Sequence, residues 1–366
     1  MKILIICNCA SGLNTFRGML IQKLIKQGHI VNAIVPKTVD EIEIQNEDDL
    51  KSNGCNLFYV LMERRGINPL KDLKLLNDFS QIIKSEKPDL VITYTIKPNV
   101  YAGLICRMKN IPYCVNITGL GTAFQSDGLL KKLVIILYKF GIKKAKTVFF
   151  ENVENRDTIV KYKIVDKKKT CVLNGAGVDL EKFKFESYPQ QKNEIHFLFI
   201  GRVMKEKGID ELFKAAKKIK SQFKNIHFDI VGRFEDDYKQ TILDLSKEGI
   251  VEYHGYHNDV RPFIENSHCF VLPSWHEGMA NTNLECGAMG RPIITSNIHG
   301  CLEAVVDGET GYLVEPRDAD DLYEKLKMFI ELSYEKKVEM GKASHNHIAE
   351  VFDKKKVVEN TIERLY

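Results

Sequence analysis

The chain lacks several things, and each lack excludes a class of protein. None of its apolar runs approaches the roughly 18 residues needed to cross a bilayer, so a membrane-spanning protein is not expected. Met1-Lys2-Ile3-Leu4-Ile5-Ile6-Cys7 is apolar, but no small-residue cleavage site follows in register. It reads as a buried strand rather than a signal peptide. No C-x-x-C pair occurs among the nine cysteines, so neither zinc nor thioredoxin-type redox chemistry is indicated. Their odd number and their places inside apolar runs, as in Tyr113-Cys114-Val115, suit a reducing cytosol. No G-x-G-x-x-G follows the first apolar run and no acid closes the second, Ile34-Val35-Pro36-Lys37, which argues against a dinucleotide-dependent dehydrogenase. Tandem repeats and low-complexity segments are also missing.

Net charge is scarce too. Lys+Arg 53 against Asp+Glu 49 leaves +4, which says little about nucleic acid or lipid. The charge is unevenly placed: residues 128–170 hold 12 basic and 4 acidic side chains, a net of +8, so the remainder sums to −4. At 366 residues with 44% hydrophobic and 28% charged, the chain has the composition of a soluble globular protein and the length for two cores.

Short β-rich runs alternate with helix-period stretches. Strands are predicted at 2–7, 30–35, 56–60, 89–95, 112–117, 147–151 and 170–173. After a polar stretch the pattern restarts at 195–200, 226–231, 251–255, 269–272, 292–296 and 311–314. Helices are predicted at 69–85, 98–109, 208–222 and 318–331 among others. Strands separated by helices imply parallel sheets covered on both faces, here two doubly wound α/β units in series. The division is placed at 186/187, with a C-terminal helix of about 350–366 packing back on residues 1–186 and residues 187–349 forming the second unit. Ligands of such sheets bind beyond the carboxyl ends of the strands, so two facing sheets would hold one in a cleft, and residues following strand ends matter most.

Four strand-end segments stand out. Asn8 to Gly18, with Gly12, reads either as a loop that lets a helix N-terminus approach a phosphate or as a plain strand-to-helix turn. Asn116-Ile117-Thr118-Gly119-Leu120-Gly121-Thr122-Ala123-Phe124 permits close backbone approach to a ligand, and a tight turn accounts for it equally well. In Gly201-Arg202-Val203-Met204-Lys205-Glu206-Lys207-Gly208, an arginine fork and a lysine beside a helix start make a diphosphate clamp; the other reading is two solvated surface cations. Lys97, after the strand at 89–95, is either an acceptor contact or a helix-start surface lysine before Pro98.

The most specific segment runs from Pro273 through His276, Glu277, Gly278, Met279, Ala280, Asn281 and Thr282 to Glu285. If it were all helical, its two glutamates, eight positions apart, would lie about 12 Å apart along the axis. Hydrolytic carboxylate pairs stand roughly 5–9.5 Å apart. The spacing suits two separate sugar rings with a diphosphate between them, provided that a loop-to-helix junction at 278–282 supplies amides to the phosphate. Glu285 as a mere helix-surface carboxylate is disfavoured by Leu284, Cys286 and Ala288, which read as buried around it.

These residues resemble the GT-B-fold retaining glycosyltransferases of family 4 over essentially the whole length. The marks are Gly201-Arg202 with Lys207-Gly208, Glu277-Gly278 through Glu285, Gly300-x-x-Glu303, and Asp307-Gly308-x-x-Gly311-Tyr312-Leu313-Val314. The resemblance implies that Arg202 and Lys207 grip the donor diphosphate and that Glu277 contacts the transferred sugar. It also implies that Glu285 holds the ribose hydroxyls, that amides at 278–282 touch sugar and phosphate, and that a Gly12-Leu13 loop closes over the site. Thr95-Ile96-Lys97-Pro98-Asn99-Val100-Tyr101 and Thr118-Gly119-Leu120-Gly121 are similar to bacterial enzymes that add N-acetylhexosamine or uronic acid to polyprenyl-diphosphate-linked saccharides, of which the bacillosamine α-1,3-N-acetylgalactosaminyltransferases are one group. That likeness implies acceptor contacts at Lys97, Asn99, Thr118 and Gly119. Thr118 stands where many members carry a His, and Ala280 where a Pro is frequent.

The expectation is therefore a metal-independent, retaining hexosyltransferase without cofactor. It uses a UDP-sugar as donor, N-acetylgalactosamine or a related hexosamine, and a lipid-linked saccharide as acceptor. The alternative is a non-hydrolysing nucleotide-sugar epimerase of the same fold, and a non-catalytic sugar-nucleotide-binding module is disfavoured by the intact Arg202, Lys207, Glu277 and Glu285. The basic, apolar segment 129–146 reads either as a helix lying on the anionic inner face of the cytoplasmic membrane or as a core helix with a solvated lysine edge formed by Lys131, Lys132, Lys139, Lys143, Lys144 and Lys146. No nucleic-acid partner is expected.

Overall fold

The computed structural model describes every residue except 64–67, 122–123, 125–127 and 192–193. Thr122 and Ala123 of the second glycine loop, and Lys192 and Asn193 of the polar stretch, thus lie outside the described residues. The chain forms two units, Met1–Ala176 with Lys355–Tyr366, and Gly177–Lys354.

In the first unit the elements run β1 (Lys2–Ile6), α1 (Ala10–Lys26), β2 (Ile30–Pro36), α2 (Glu41–Ser52), β3 (Asn56–Val60), α3 (Pro69–Glu86), β4 (Leu90–Tyr94), α4 (Ile96–Lys109), β5 (Tyr113–Ile117), α5 (Leu129–Ile142), β6 (Val148–Phe150), α6 (Val153–Lys161) and β7 (Thr170–Val172). The sheet is parallel, in the order β3-β2-β1-β4-β5-β6-β7. Strand β1 shows why its sequence is an unbroken apolar run. Leu4 and Ile6 enter the core on one face and Ile3 and Ile5 the core on the other, so both sets of alternating side chains are buried. Helix α4 starts two residues ahead of the predicted 98, because Pro98 lies in the first turn, where its missing N–H costs no helical bond. Helices α4 and α5 approach so closely that a Cβ on Gly103 would stand 2.4 Å from the Gly141 carbonyl oxygen, which requires glycine at the contact.

The second unit contains β8 (Ile195–Ile200), α7 (Ile209–Gln222), β9 (Ile226–Val231), α8 (Lys239–Lys247), β10 (Glu252–Gly255), α9 (Arg261–Asn266), β11 (Cys269–Leu272), α10 (Asn281–Ala288), β12 (Ile293–Ser296), β13 (Gly311–Val314), α11 (Ala319–Glu331) and α12 (Tyr334–Val351). Its parallel sheet has the order β10-β9-β8-β11-β12-β13. Helix α13 (Lys354–Glu363) follows, and Val357, Val358, Ile362 and Leu365 join Ile3 and Ile5 in the first unit's core.

The first crossing of the chain comes after Ala176, ten residues ahead of the 186/187 read from the polar stretch. The return comes at Lys355, beside the expected 350. The reason for the first difference is Arg291. This fully buried guanidinium donates to the carbonyl oxygens of Glu186 (3.0 Å) and Ser187 (3.2 Å), as well as to those of Ile264, Glu265 and Met289. Burial pulls the Arg291 pKa down, yet the carbonyls use its fork-shaped donor set fully. Phe183 enters the second core, and the Tyr188 hydroxyl donates to the His268 carbonyl at 2.8 Å. Residues that look like a linker by composition are therefore sewn into the second unit.

Candidate active site

In the second sheet, strand order reverses between the adjacent strands β8 and β11. Connections leaving these strands diverge and open a crevice at their carboxyl ends. Gly201-Arg202 leaves β8 there, and Pro273 through Ala280 leaves β11. Both sequence-predicted segments therefore flank one switch point.

Gly208 sets the local geometry. It has φ +71° as the N-cap of α7, and a Cβ there would lie 1.9 Å from the Pro273 carbonyl oxygen. Only glycine allows the turn Lys205–Lys207 to lie against the β11 exit, where the Trp275 amide donates to the Glu206 carbonyl at 3.0 Å. Lys207 is thereby carried to Glu277: its ammonium donates to Oε1, which also accepts the Ser274 hydroxyl at 2.8 Å. Both charged side chains are mostly buried, so the pair is a built feature and not two solvated ions. Arg202 differs, since its side chain is half exposed and pairs only loosely with Glu235, 3.6 Å away. Its guanidinium remains accessible for an anion.

The 278–282 stretch is a loop-to-helix junction, with α10 starting at Asn281 after Ala280 and having neither a side-chain cap nor an acidic residue in its first turn. Such a terminus favours anions. One of the predicted donors is already committed: the Ala280 amide donates to the Gly300 carbonyl at 2.7 Å, and Met279 and Ala280 have buried side chains. Gly300 is held in turn by its amide donating to Glu303 Oε2 at 2.7 Å, so the Gly300-x-x-Glu303 motif braces the junction from behind. Asn281 Oδ1 and Trp275 Nε1 are buried without a hydrogen-bond partner among the described residues. Leu284, Cys286 and Ala288 are fully buried around Glu285. Loss of water pushes the Glu285 carboxyl up to about 7, opposed more weakly by the charges of Lys182 and Lys354.

Sequence reasoning passed over Ser274 and the setting of Trp275. The indole has the Lys205 ammonium 5.7 Å and the Arg317 guanidinium 4.4 Å from its centre. Position just after β11 was the signal available for Ser274; Arg317 lies 42 positions beyond Trp275, before α11, and carried none.

In the first unit the predicted residues are placed less favourably for direct contact. Gly12 and Leu13 are not in a loop: α1 starts at Ala10, and the Leu13 side chain is fully buried in the core. Glu43 of α2 receives the Ser11 amide (2.9 Å) and hydroxyl (2.6 Å), so a carboxylate already occupies this helix start. Asn99 is fully buried as well. It accepts from the Thr93 hydroxyl at 2.7 Å and donates to the Asn116 carbonyl at 2.8 Å, so it braces the ends of β4 and β5 and has no surface for an acceptor. The Lys97 ammonium donates to Asp72 Oδ1 of α3 at 2.9 Å in a mostly buried pair, which removes it from the surface-lysine reading. Thr118 and Gly119 follow β5 and are partly exposed. Behind them lies a buried pair absent from the sequence reading, with Arg17 donating to Glu151 Oε1 at 2.7 Å.

With this geometry in hand, comparison with known proteins is informative. Residues 181–347 match the family described as glycosyl transferases group 1, and residues 2–152 match glycosyl transferase 4-like. The N,N'-diacetylbacillosaminyl-diphospho-undecaprenol alpha-1,3-N-acetylgalactosaminyltransferase of Campylobacter jejuni is 27% identical over 348 residues, covering 90% of each chain. The UDP-Gal:alpha-D-GlcNAc-diphosphoundecaprenol alpha-1,3-galactosyltransferase of Escherichia coli is 31% identical over 298 residues, covering 76% of each. Among solved structures, HepE of Anabaena in complex with UDP and glucose has a TM-score of 0.80 at 16% identity, covering 100% of this chain and 99% of that one. A glycosyltransferase of Rickettsia africae has 0.79 at 20%, covering 100% and 97%. Two parallel-sheet Rossmann-like units, the two family matches that tile them and a 31% identical relative over three quarters of the length place the chain in the GT-B glycosyltransferases, with a group 1 second unit and a glycosyl transferase 4-like first unit.

Proposed function

We propose that this enzyme moves a hexosamine, N-acetylgalactosamine or a close relative, from a UDP-sugar to a polyprenyl-diphosphate-linked saccharide with retention at the anomeric carbon. The observation that carries the reading is the Lys207–Glu277 pair at the β8/β11 switch point, with exposed Arg202 and an uncapped α10 beside it. Arg202, Lys207 and the first amides of α10 supply positive charge where negative charge grows on the leaving diphosphate. Glu277, fixed by Lys207 and Ser274, contacts the transferred sugar. Glu285 accepts the ribose hydroxyls. The bond from the anomeric carbon to the diphosphate oxygen breaks and one to the acceptor hydroxyl oxygen forms. The acceptor proton goes to the leaving phosphate oxygen, since Thr118 offers no imidazole. Two protein-borne cations do the electrostatic work, so the scheme calls for no metal ion.

Both curated relatives are named for undecaprenyl-diphosphate-linked acceptors, which supports a lipid-linked acceptor here. A surface feature of the first unit supports it further. Helix α5 buries Val134, Tyr138 and Ile142 but leaves Leu129, Leu130, Leu133, Ile136 and Phe140 41–85% exposed, flanked by exposed Lys132, Lys139, Lys143 and Lys144. An exposed apolar stripe at helical spacing with lysines beside it fits an anionic bilayer surface. Among the described residues no helix is long and apolar enough to cross a membrane. On this reading the enzyme works at the inner face of the cytoplasmic membrane.

The test is a screen of UDP-sugars against a lipid-linked saccharide extract, read by mass. The expected result is an acceptor heavier by one N-acetylhexosamine, with an α-linkage by NMR. A donor sugar altered without any acceptor would replace this reading with an epimerase.

A further inference from the structure

At the other end of the second sheet, where the strands begin, lies a cluster that the transfer chemistry does not use. His196 is the second residue of β8 and pairs in register with His227 of β9; Asp229 pairs with Glu252 of β10, and His254 follows two positions on. Residues at alternate positions on neighbouring strands share one face, so these side chains form a polar row on a strand-borne, rigid surface. The His196 and His227 rings stack at 4.4 Å, 10° from parallel. Glu194 immediately precedes β8, and its Oε2 is 3.9 Å from His227 Nε2. One ligand atom from each of Glu194, His196 and His227 lies within 4.8 Å of the others.

We propose that Glu194, His196 and His227 bind one divalent transition-metal ion of the zinc type, with Asp229 as the carboxylate that orients His196. The ligand chemistry selects the ion: two imidazoles and a carboxylate suit zinc and its borderline neighbours, and the fourth position is left to water. Asp229 Oδ2 is 2.9 Å from His196 Nδ1, which holds the proton on that nitrogen and leaves Nε2 with its lone pair. The other Asp229 oxygen is 2.8 Å from His254 Nε2, so the orienting carboxylate is itself fixed. Tetrahedral ligand atoms stand about 3.3–3.5 Å apart around zinc. Closure from 4.8 Å therefore asks the His227 ring to turn out of its stack on His196 and the Glu194 carboxylate, which stands ahead of β8, to swing in. Lys220, whose ammonium donates to the Ile226 carbonyl, is a positive charge that acts on His227 and would oppose the ion. His196 and Arg202 are six residues apart along the strand, about 20 Å. The ion therefore acts as a staple across β8 and β9 and takes no part in transfer.

The test uses the full chain stripped of metal with a chelator and then dialysed. Zinc is titrated in by calorimetry, and melting temperature is read with and without zinc. One zinc per chain and a raised melting temperature are expected. Glu194→Gln and His227→Ala should each weaken binding at least tenfold and Asp229→Asn roughly 10–100-fold, with far-UV circular dichroism unchanged. Glu194→Gln lies outside the strands and guards against a folding defect. Absence of saturable binding overturns the proposal. So does binding that persists unchanged in Glu194→Gln and His227→Ala, including binding that follows Glu252→Gln instead.

Discussion

Lys207 and Glu277 lie 70 residues apart in the chain and share a hydrogen-bonded ion pair, with the Ser274 hydroxyl on the same carboxylate oxygen. Arg202, on the same strand exit as Lys207, stays half exposed. The two cations should therefore respond differently to mutation. Arg202→Ala should lower kcat/KM by about 100-fold or more, about 2.7 kcal/mol, while shifting stability by no more than about 0.5 kcal/mol, as exposed substitutions do. Steady-state kinetics beside a urea melt measures both, and a fully active Arg202→Ala enzyme removes the diphosphate role.

Gly208→Ala tests the turn that delivers Lys207. The substitution forces a side chain into the left-handed region and against the Pro273 carbonyl. It should cost about 3 kcal/mol or more. A Gly208→Ala enzyme with an unchanged urea midpoint would mean that the turn is not held against β11.

Glu285 gives a pH prediction with a definite sign. Its folded pKa of about 7 lies above the ordinary carboxyl value, so the folded state prefers the protonated form. Below the unfolded pKa of about 4.3 the group is neutral in both states and costs nothing. As pH rises from there to about 7, stability falls, and it levels off above. Glu285→Gln removes the cost, so at pH 8 it should be more stable than the parent by roughly 1–3 kcal/mol and about equal at pH 4. With the proposed ribose contact made by the ionised carboxyl, UDP binding should strengthen through pH 7 in the parent and be weak and pH-insensitive in Glu285→Gln. Calorimetry at pH 6 and 8 decides the point.

The α5 stripe predicts vesicle binding. Lys131 leans over the Tyr162 ring, 5.5 Å from its centre, so the outward-facing set is Lys132, Lys139, Lys143 and Lys144. At about 1 kcal/mol per lysine near an anionic surface, changing all four to Glu should reduce co-sedimentation with phosphatidylglycerol vesicles by more than about 100-fold. Activity on a short, water-soluble acceptor should be kept. Undiminished sedimentation would return α5 to the role of a helix that simply faces water.

The thirteen strands of the described residues were legible in the sequence, the central ones because a strand buried on both faces needs an unbroken apolar run, as Ile3 to Ile6 show. The position of the residues proposed for the donor side was legible for a related reason. Ligands sit at strand ends, and Gly201-Arg202 and Pro273 to Glu285 directly follow β8 and β11. The Glu194, His196 and His227 cluster has no contiguous motif in the sequence. A strand sets the polar side chains of one face at alternate positions, as in His227 and Asp229, and the sheet gathers them from strands that are distant in sequence.

What local pattern could not hold was decided by packing. Composition placed the division at the polar stretch after Phe185, yet the buried Arg291 claims the Glu186 and Ser187 carbonyls for the second unit, which begins at Gly177. Gly12-Leu13 looked like a loop, and Leu13 is drawn into the core as the first turn of α1. Asn99 and Lys97 read as acceptor contacts, and Thr93, Asn116 and Asp72 take up their polar groups inside the first unit. The sequence by itself determined the alternation of strands and helices and the residues that leave each strand, since both follow from neighbours in the chain. Which of those side chains is free for a ligand was settled only in the tertiary structure, because a buried polar group takes whichever partner folding brings to it.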